Sequence, residues 1–252
     1  NWGIIQDSGL FHIGVYFNDN DIISFALKRL EQETDLQIMF DGFQWEQSNN
    51  YHNEVLLVLL DVIIDADKNN IALPEKLKNK IEKMAEAALK TVKPNGHNPL
   101  FGDSDDTDMR DIMSRCALVF GRSDFKYYGF DRLDFNTVWQ TGYKSIEKYN
   151  NIGKIPPSFN NAFLADSGNY ILRENQTNAS NYLLFHNGYT GAGHAHADKL
   201  HFDLMIKGRD VLVDAGRYTY LNNAQRRYIK SPKAHNVCLI DNKQYLNVSS
   251  QW

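Results

Sequence analysis

The chain has 252 residues, of which 42% are hydrophobic and 23% are charged, so it can bury a sizeable core and is typical of a globular protein. Its formal net charge of −4, without a stripe of Lys and Arg, argues against general nucleic-acid binding. Two cysteines, Cys116 and Cys238, cannot build a disulfide framework or a cysteine-based zinc site, and the apolar runs are too short for insertion into a membrane.

The first half of the chain predicts helices. Apolar residues recur at helical spacing. The polar residues at 19–21 predict a break between two helices and an N-cap for the second, and Pro74 suits the first turn of a helix. The third apolar stretch, 51–66, is hydrophobic nearly all round, which predicts burial on most sides. The predicted helices span residues 2–17, 22–36, 51–66, 75–92 and 106–120. Short connections between them favour antiparallel pairs.

The connector NNIGKIPPSFNN, at 150–161, changes the character of the chain. Its adjacent prolines and paired asparagines favour an extended linker, so we expect a domain boundary near residue 157. Short strand-like segments separated by turn residues follow, as in an antiparallel sandwich. The predicted strands span residues 162–165, 170–173, 182–186, 202–206, 211–214 and 237–241.

Four of the eight histidines lie within residues 188–236. If GHAHAD is extended, His194, His196 and Asp198 share one face, because side chains alternate along a strand. An ionised Asp214 after an apolar run would be costly unless it is paired or bound to a cation.

His196, Asp214 and His235 together supply two nitrogens and one oxygen, a ligand set suited to zinc or a similar divalent ion. Taken singly, each histidine is more often a structural residue, and the aspartate can instead cap a turn before Gly216. The set as a whole favours the metal site.

Two other groups of polar residues have both a functional and a structural interpretation. Tyr51 stands at the predicted start of the buried helix and can point into a cleft or pack as an ordinary aromatic. A basic cluster, Arg226, Arg227, Lys230 and Lys233, suits an anionic substrate, although such a cluster is more often simply a solvated surface.

Five motifs carry a resemblance to a known family: NWGIIQDSGL, DGFQWEQSNNYH, GHAHADKLHFDL, VLVDAGRYTY and RRYIKSPKAHN. In this order they resemble the heparinase II/III-like polysaccharide lyases, above all the heparinase III type. The resemblance implies an α+β multidomain protein: an incomplete α/α toroid of helical hairpins, then an antiparallel β-sandwich, with the catalytic cleft between them. Residues 1–157 would be the C-terminal part of the toroid and 158–252 the N-terminal part of the sandwich, so we expect a fragment of a longer protein.

The family cleaves uronate-containing polysaccharides by β-elimination, which requires the uronate carboxylate to be neutralised while a base and an acid act at C5 and O4. The resemblance implies that Asn1 grips the carboxylate, that Tyr51 acts as base and acid, and that His194 assists or serves as base on the opposite face. Related alginate-type lyases use a further tyrosine from the sandwich, and Tyr228 is the candidate here.

The resemblance also suggests substrate contacts. Trp2 stands where some relatives have a histidine, and His52 can take that role. Glu46 and Arg226 are further candidates. The same resemblance assigns the metal to the set inferred above, as a structural divalent ion, zinc or alternatively calcium.

Three functions remain open from the sequence. The first is a lyase acting on an anionic polysaccharide, such as heparan sulfate or a bacterial polymer, in the periplasm or outside the cell. The second is a non-catalytic glycan-binding or capsule-assembly protein on the same fold. The third is a metal-dependent hydrolase. A glycosidase needs two carboxylates beside the bond, and no such pair stands out near the histidines, with Glu46 and Asp198 the only candidates.

Overall fold

The computed structural model describes residues 1–189 and 191–246. The chain opens with eight helices in this range: α1 (Trp2–Phe17), α2 (Asn20–Gln37), α3 (Asn49–Lys68), α4 (Glu75–Thr91), α5 (Arg110–Phe120), α6 (Ser123–Tyr128), α7 (Phe135–Thr141) and α8 (Lys144–Asn150). The strands follow as β1 (Ala162–Leu164), β2 (Asn169–Arg173), β3 (Tyr182–His186), β4 (His201–Ile206) and β5 (Arg209–Leu212), before a short helix α9 (Ala224–Ile229).

Helices α1 and α2 form a hairpin whose turn is determined by local chemistry. Asn18 adopts a left-handed conformation with φ 52°, and its N–H bonds to carbonyls of the last turn of α1. The Asp19 side chain then accepts hydrogen bonds from the N–H groups of Asp21 and Ile22, both at 3.0 Å, and so caps α2. A Cβ on Gly14 would lie 3.0 Å from the Ile22 and Ile23 side chains, so the close approach of the two helices requires a small residue there.

Helix α3 is the buried helix of the first half, as its composition predicts. Val55, Leu56, Leu59 and Leu60 are completely buried. Burial of four such side chains contributes several kcal/mol, at about 1.5–3 kcal/mol each.

The strands pair in sequence order as one antiparallel sheet, β1-β2-β3-β4-β5. Burial alternates along β3 and β4, and Leu184 and Met205 face the core. The predicted fold class, helices followed by antiparallel strands, is confirmed.

One predicted strand is wrong. Residues 237–241 pair with no strand in the part of the chain that the structure describes, and Ile240–Asn242 forms a 3₁₀ turn instead. Asp241 and Asn242 have φ values of 52° and 55°, which no β-strand accommodates.

Helix α5 starts later than the sequence predicts, at Arg110, because 106–109 stays in a loop. The backbone N–H of Thr107 bonds to Asn98 Oδ1 at 2.8 Å, and Asp108 bridges to His97. Helices α6 to α9 were not predicted, since six or seven residues show little periodicity.

The chain divides into two compact units that interleave along the sequence. The first consists of Asn1–Gly42, Asn53–Leu89 and Arg110–Pro156. The second consists of Phe43–His52, Lys90–Met109 and the chain from Pro157 onward. The predicted boundary near 157 treated each unit as one continuous stretch, whereas two segments from the helical half belong with the sheet. Those segments carry Tyr51 and Asp103, so they determine the candidate site.

Among the described residues, no helix is both long enough and apolar enough to cross a membrane.

Candidate active site and metal-binding group

The loop at 99–104 anchors the start of α3 within the second unit. Ser48 Oγ donates to the carbonyl of Asp103 at 2.9 Å, and Asn49 Nδ2 donates to the carbonyl of Pro99 at 3.1 Å. The N–H of Asn50 bonds to Ser104 Oγ at 3.3 Å. These bonds satisfy groups at the beginning of the helix and fix the direction in which Tyr51 leaves it.

Tyr51, His194 and Tyr220 form an aromatic group. The Tyr51 and His194 rings stack with centroids 3.5 Å apart and planes 13° apart. The hydroxyls of Tyr51 and Tyr220 lie 2.8 Å apart, within hydrogen-bond distance, and the Tyr220 ring meets the His194 ring edge-on at 6.1 Å. Two phenols and an imidazole in mutual contact can accept, donate and relay a proton.

Tyr220 lies among positive charges. The guanidinium carbons of Arg217 and Arg226 stand 5.1 and 5.0 Å from its ring centroid. Burial, together with its hydrogen bond to Tyr51, raises the pKa of Tyr220 far above the usual value for tyrosine. Tyr220 therefore stays protonated in neutral solution and can donate its hydrogen to the Tyr51 oxygen.

The carboxylate of Asp103 lies behind this group and is completely buried. Its Oδ2 accepts hydrogen bonds from His194 Nδ1 at 3.0 Å and from Arg226 at 2.7 Å, while Oδ1 accepts from His196 Nε2 at 2.8 Å and from Arg226 at 2.5 Å. Burial by itself would raise the pKa of Asp103, but the hydrogen bonds from these three partners outweigh it and hold the pKa far below the usual range. Asp103 is thus an anion that only accepts hydrogen bonds.

His196, Asp214 and His235 each bring a possible ligand atom within 4.8 Å of the others, and all three side chains are fully buried. Asp214 Oδ2 lies 2.7 Å from His235 Nδ1, and Asp214 Oδ1 accepts the N–H of Gly216 at 2.9 Å. Although burial opposes ionisation, nearby imidazoles, first that of His235, lower the pKa of Asp214. Asp214 is therefore an anion, which can serve as the charged ligand of a divalent ion.

Two buried nitrogens of this group, His196 Nδ1 and His235 Nε2, have no hydrogen-bond partner among the described residues. Unpaired buried nitrogens are costly unless something binds them. The second nitrogen of His196 is taken by Asp103, the arrangement in which a carboxylate orients a metal-ligating imidazole. The residues present fit a divalent ion, as the sequence predicts.

Comparison with known sequences identifies the family. The chain matches the heparinase II/III N-terminus over residues 1–127 and the heparinase II/III-like C-terminal region over residues 156–252. The chain belongs to the heparinase II/III-like family. The predicted family is therefore confirmed.

Two heparin-sulfate lyases are distant relatives of the chain. The chain is 26% identical over 224 residues to a heparin-sulfate lyase of Pedobacter heparinus, a match covering 85% of this chain and 31% of that protein. It is 22% identical to a heparin-sulfate lyase of Bacteroides stercoris, covering 88% of this chain and 33% of that one. The chain thus spans about a third of the length of these relatives.

Solved structures show the same heparinase fold. A crystal structure of a heparan sulfate lyase mutant from Pedobacter heparinus superposes with a TM-score of 0.82 at 24% identity, covering 96% of this chain and 37% of that one. A heparinase III crystal structure gives a TM-score of 0.76 at 21% identity, covering 92% and 38%.

Several residues that the sequence singled out as substrate contacts are buried. His52 is completely buried, accepts the N–H of Gln44 at 3.2 Å and stacks on Phe43. Arg226 is also completely buried, with its guanidinium bidentate on Asp103. Glu46 is buried as well. Because all three are buried, we favour structural roles for them, in which they support the site through contacts with other protein groups.

Tyr228, the tyrosine that the sequence favoured, is placed differently from Tyr51. It is 54% exposed, and its hydroxyl donates to the carbonyl of Lys233 at 3.4 Å. The tyrosine whose hydroxyl meets Tyr51 is Tyr220. Asn1 and the exposed Trp2 begin α1 in the first unit, and their roles stay predictions.

Asp103 was not identified from the sequence. His194, His196 and Asp198 were predicted to share one face because the segment would be extended. His194 and His196 do converge, but the segment is irregular rather than extended. Asp103 stands in the acidic run DSDDTD, which resembles the start of a helix, and no local pattern separates it from its neighbours. Tyr220 ends the family-like motif VLVDAGRYTY, so the signal for it was present.

Proposed function

We propose that the protein is a polysaccharide lyase that cleaves a uronic-acid-containing glycan by β-elimination. The observation that carries this proposal is the contact of the Tyr51 phenol with the His194 imidazole and the Tyr220 hydroxyl. Membership of the heparinase II/III-like family supports it, as do the distant relatives named heparin-sulfate lyases. The proposed substrate is a heparan-sulfate-like glycan or a bacterial uronate polymer.

In the proposed reaction, Tyr51 is the proton carrier. An anionic Tyr51 oxygen takes the proton from C5 of the uronate, the C–H electron pair forms the C4–C5 double bond, and the bond from C4 to the glycosidic oxygen breaks. The departing oxygen receives a proton from the Tyr51 hydroxyl, so that one residue serves both steps. Tyr220, which keeps its own proton, donates to the Tyr51 oxygen and stabilises its negative charge.

His194 has a defined place in this scheme. Its Nδ1 is bound by Asp103, so Nε2 is the nitrogen that can accept a proton or a hydrogen bond. The proposed roles of Asn1 in neutralising the uronate carboxylate, and of Trp2 beside it, follow from the family resemblance alone. A glycan polymer lies outside the cytoplasm, so we further propose a periplasmic or secreted location.

The divalent ion, proposed to be zinc with calcium as the alternative, is assigned a structural role. When bound by His196, Asp214 and His235, it would fix the loop that carries His194. A hydrolase would instead need a metal-bound water open to substrate, and the complete burial of all three side chains disfavours that chemistry.

The test is the ultraviolet absorbance of the conjugated double bond during incubation of the full chain with heparan sulfate, hyaluronan, chondroitin and alginate. We expect a rise with at least one polymer, and a loss of about 10²–10⁴-fold in rate for Tyr51→Phe. Tyr16→Phe is the control, because Tyr16 is an exposed tyrosine of α1 and its change should leave the rate unaltered.

Two results would contradict the proposal. If Tyr51→Phe keeps the full rate, Tyr51 is not the proton carrier. If absorbance stays flat with every polymer while the protein still binds one of them, the glycan-binding alternative replaces the lyase.

A further inference from the structure

Asp103 occupies an unusual position, since its two oxygens contact both histidines of the GHAHAD loop. Oδ2 accepts from the candidate catalytic His194 at 3.0 Å, and Oδ1 accepts from the candidate metal ligand His196 at 2.8 Å. The backbone repeats the connection, because the N–H of Asp103 donates to the carbonyl of His194 at 2.8 Å. One buried carboxylate therefore joins the metal-binding group to the aromatic group.

The chemistry of these bonds determines where the imidazole protons lie. A carboxylate only accepts, so each imidazole must present an N–H to it. His194 is then protonated on Nδ1 and keeps its lone pair on Nε2. His196 is protonated on Nε2 and keeps its lone pair on Nδ1, the buried nitrogen that has no partner among the described residues.

Arg226 makes this arrangement stable in a dry interior. A buried carboxylate is strongly destabilising without a positive partner, and the guanidinium donates to both oxygens, at 2.5 and 2.7 Å. Each oxygen of Asp103 thus accepts one bond from Arg226 and one from a histidine. Lys230 holds the same loop from another direction, with its Nζ donating to the carbonyl of Gly193 at 2.8 Å.

We propose that Asp103 is a positioning residue that sets the tautomers of His194 and His196 and couples metal occupancy at His196 to the orientation of His194. The part concerning catalysis rests on the proposed lyase function, whereas the parts concerning tautomers and metal affinity do not. An ion bound at His196 Nδ1 polarises the N–H at Nε2 and strengthens its bond to Asp103. The Asp103 carboxylate is then more firmly fixed. The imidazole of His194, which donates to its other oxygen, Oδ2, is fixed with it.

The decisive variant is Asp103→Asn, which keeps shape and volume but replaces one accepting oxygen with an N–H₂ donor. One of the two imidazoles must then face a donor instead of an acceptor. Asp105→Asn is the matched control, because Asp105 stands two residues away and forms a bidentate pair with Arg217, at 2.7 and 2.5 Å, without a described histidine contact. Circular dichroism spectra establish whether both variants fold.

The first measurement is a titration of the metal-free proteins with zinc alone. Loss of a carboxylate that orients a ligating histidine typically lowers metal affinity 10–100-fold, and we expect that loss for Asp103→Asn. We expect no change for Asp105→Asn. Equal zinc affinity in folded Asp103→Asn and in the unaltered protein would overturn the proposal.

The second measurement is ¹⁵N nuclear magnetic resonance of the imidazoles, with His194→Gln used to assign the His194 signals. The unaltered protein should show His194 protonated on Nδ1, and the His194 signals should shift when zinc is added. This measurement needs no variant at Asp103, so it decides the question even if Asp103→Asn does not fold. A His194 protonated on Nε2, or one that does not respond to zinc, would overturn the proposal.

These readouts separate the two hypotheses. Zinc affinity and tautomers that match expectation, in a protein without lyase activity on any polymer, would support the role of Asp103 while contradicting the proposed function. In an active protein, we expect Asp103→Asn to lower kcat more than it raises KM, since a misdirected His194 affects the transition state.

Discussion

The phenol ring of Tyr51 lies face to face with the imidazole ring of His194, with centroids 3.5 Å apart and planes 13° apart. Tyr51 belongs to the first turn of α3, whereas His194 belongs to an irregular loop after the third strand. Both are held by the loop around Asp103, through Ser48 on one side and through the carbonyl of His194 on the other. The stack therefore depends on two loops and the start of α3 together rather than on any single element.

The first prediction distinguishes the two candidates for a second catalytic tyrosine, Tyr220 and Tyr228. Tyr220→Phe should lower the rate of elimination about tenfold or more, because the hydrogen bond to the anionic Tyr51 oxygen is lost and bonds to charged groups contribute about 1.5–3 kcal/mol. Tyr228→Phe should leave the rate nearly unchanged, since its hydroxyl bonds weakly to a backbone carbonyl. Initial rates from absorbance measure both. The opposite order of effects would restore Tyr228 as the catalytic candidate.

The second prediction concerns removal of the metal. A ligand bound only to the folded state stabilises it by about 2.7 kcal/mol at a hundred times its dissociation constant, so a chelator should lower the melting temperature. His235→Ala should already melt lower and should not respond to the chelator, because a ligand is gone.

His97→Ala provides the control for the metal experiment. His97 is a partly exposed histidine that pairs with Asp106 at 2.8 Å, outside the metal-binding group. Its replacement should leave the response to the chelator intact. Calorimetric melting curves with and without chelator measure this response. If His97→Ala lost the response to the chelator as His235→Ala does, a specific metal site would be contradicted.

Much of the fold was predictable because its signals are local. The period of apolar residues located the five long helices, and short apolar runs between turn residues located the five strands, although the fifth was predicted at 211–214 and forms at Arg209–Leu212. The predicted strand at 237–241 failed because an apolar run of that length fits a strand or a turn equally well, and the chain turns at its last residue, Asp241, where φ is positive.

The site was only partly predictable, for a physical reason. The candidate metal-binding group was found because an aspartate after an apolar run is unusual in itself. Asp103 was missed, since its importance comes from partners far along the chain, His194, His196 and Arg226, and its neighbours are also acidic. Burial of His52 and Arg226 depends likewise on tertiary packing, which residue type does not reveal.

The third prediction tests the turn that carries Asp103. Gly102 has φ +66°, and a Cβ there would lie 2.5 Å from the carbonyl oxygen of Gln47 and 3.0 Å from that of His194. Gly121 has nearly the same φ, +68°, with nothing within 4 Å of the Cβ position. Gly121→Ala should therefore cost about 1 kcal/mol for the left-handed backbone alone.

Gly102→Ala should cost at least about 1 kcal/mol more, because backbone atoms must move to admit the methyl group. Urea unfolding of both variants measures the difference in the free energy of unfolding. Gly102→Ala should also weaken zinc binding, because the turn at Gly102 positions the Asp103 carboxylate beside His196. Equal losses of stability in the two variants would mean that the contacts of Gly102 are not tight.

The last prediction is a dependence of stability on pH that arises from Lys230. This lysine is buried, and its described hydrogen bond is to the carbonyl of Gly193 rather than to a carboxylate. Burial lowers the pKa of Lys230 to about 8, against an opposing effect of Asp103, and Arg226 lowers it further. In the unfolded chain the lysine pKa is about 10.4, so the unfolded state holds the proton over a window in which the folded state releases it.

Because the unfolded state binds more protons between about pH 8 and pH 10, the free energy of unfolding should rise with pH across that window, by at most about 3 kcal/mol. Lys230→Met should remove this rise, and it should be more stable than the unaltered protein below pH 8, where the buried charge is destabilising. Lys68→Met is the control, since Lys68 is an exposed lysine that also donates to a carbonyl, that of Gln140 at 2.9 Å. Urea unfolding at several pH values gives the difference between each variant and the unaltered protein, in which other titrating groups cancel. A flat difference curve for Lys230→Met would show that Lys230 keeps its proton on folding.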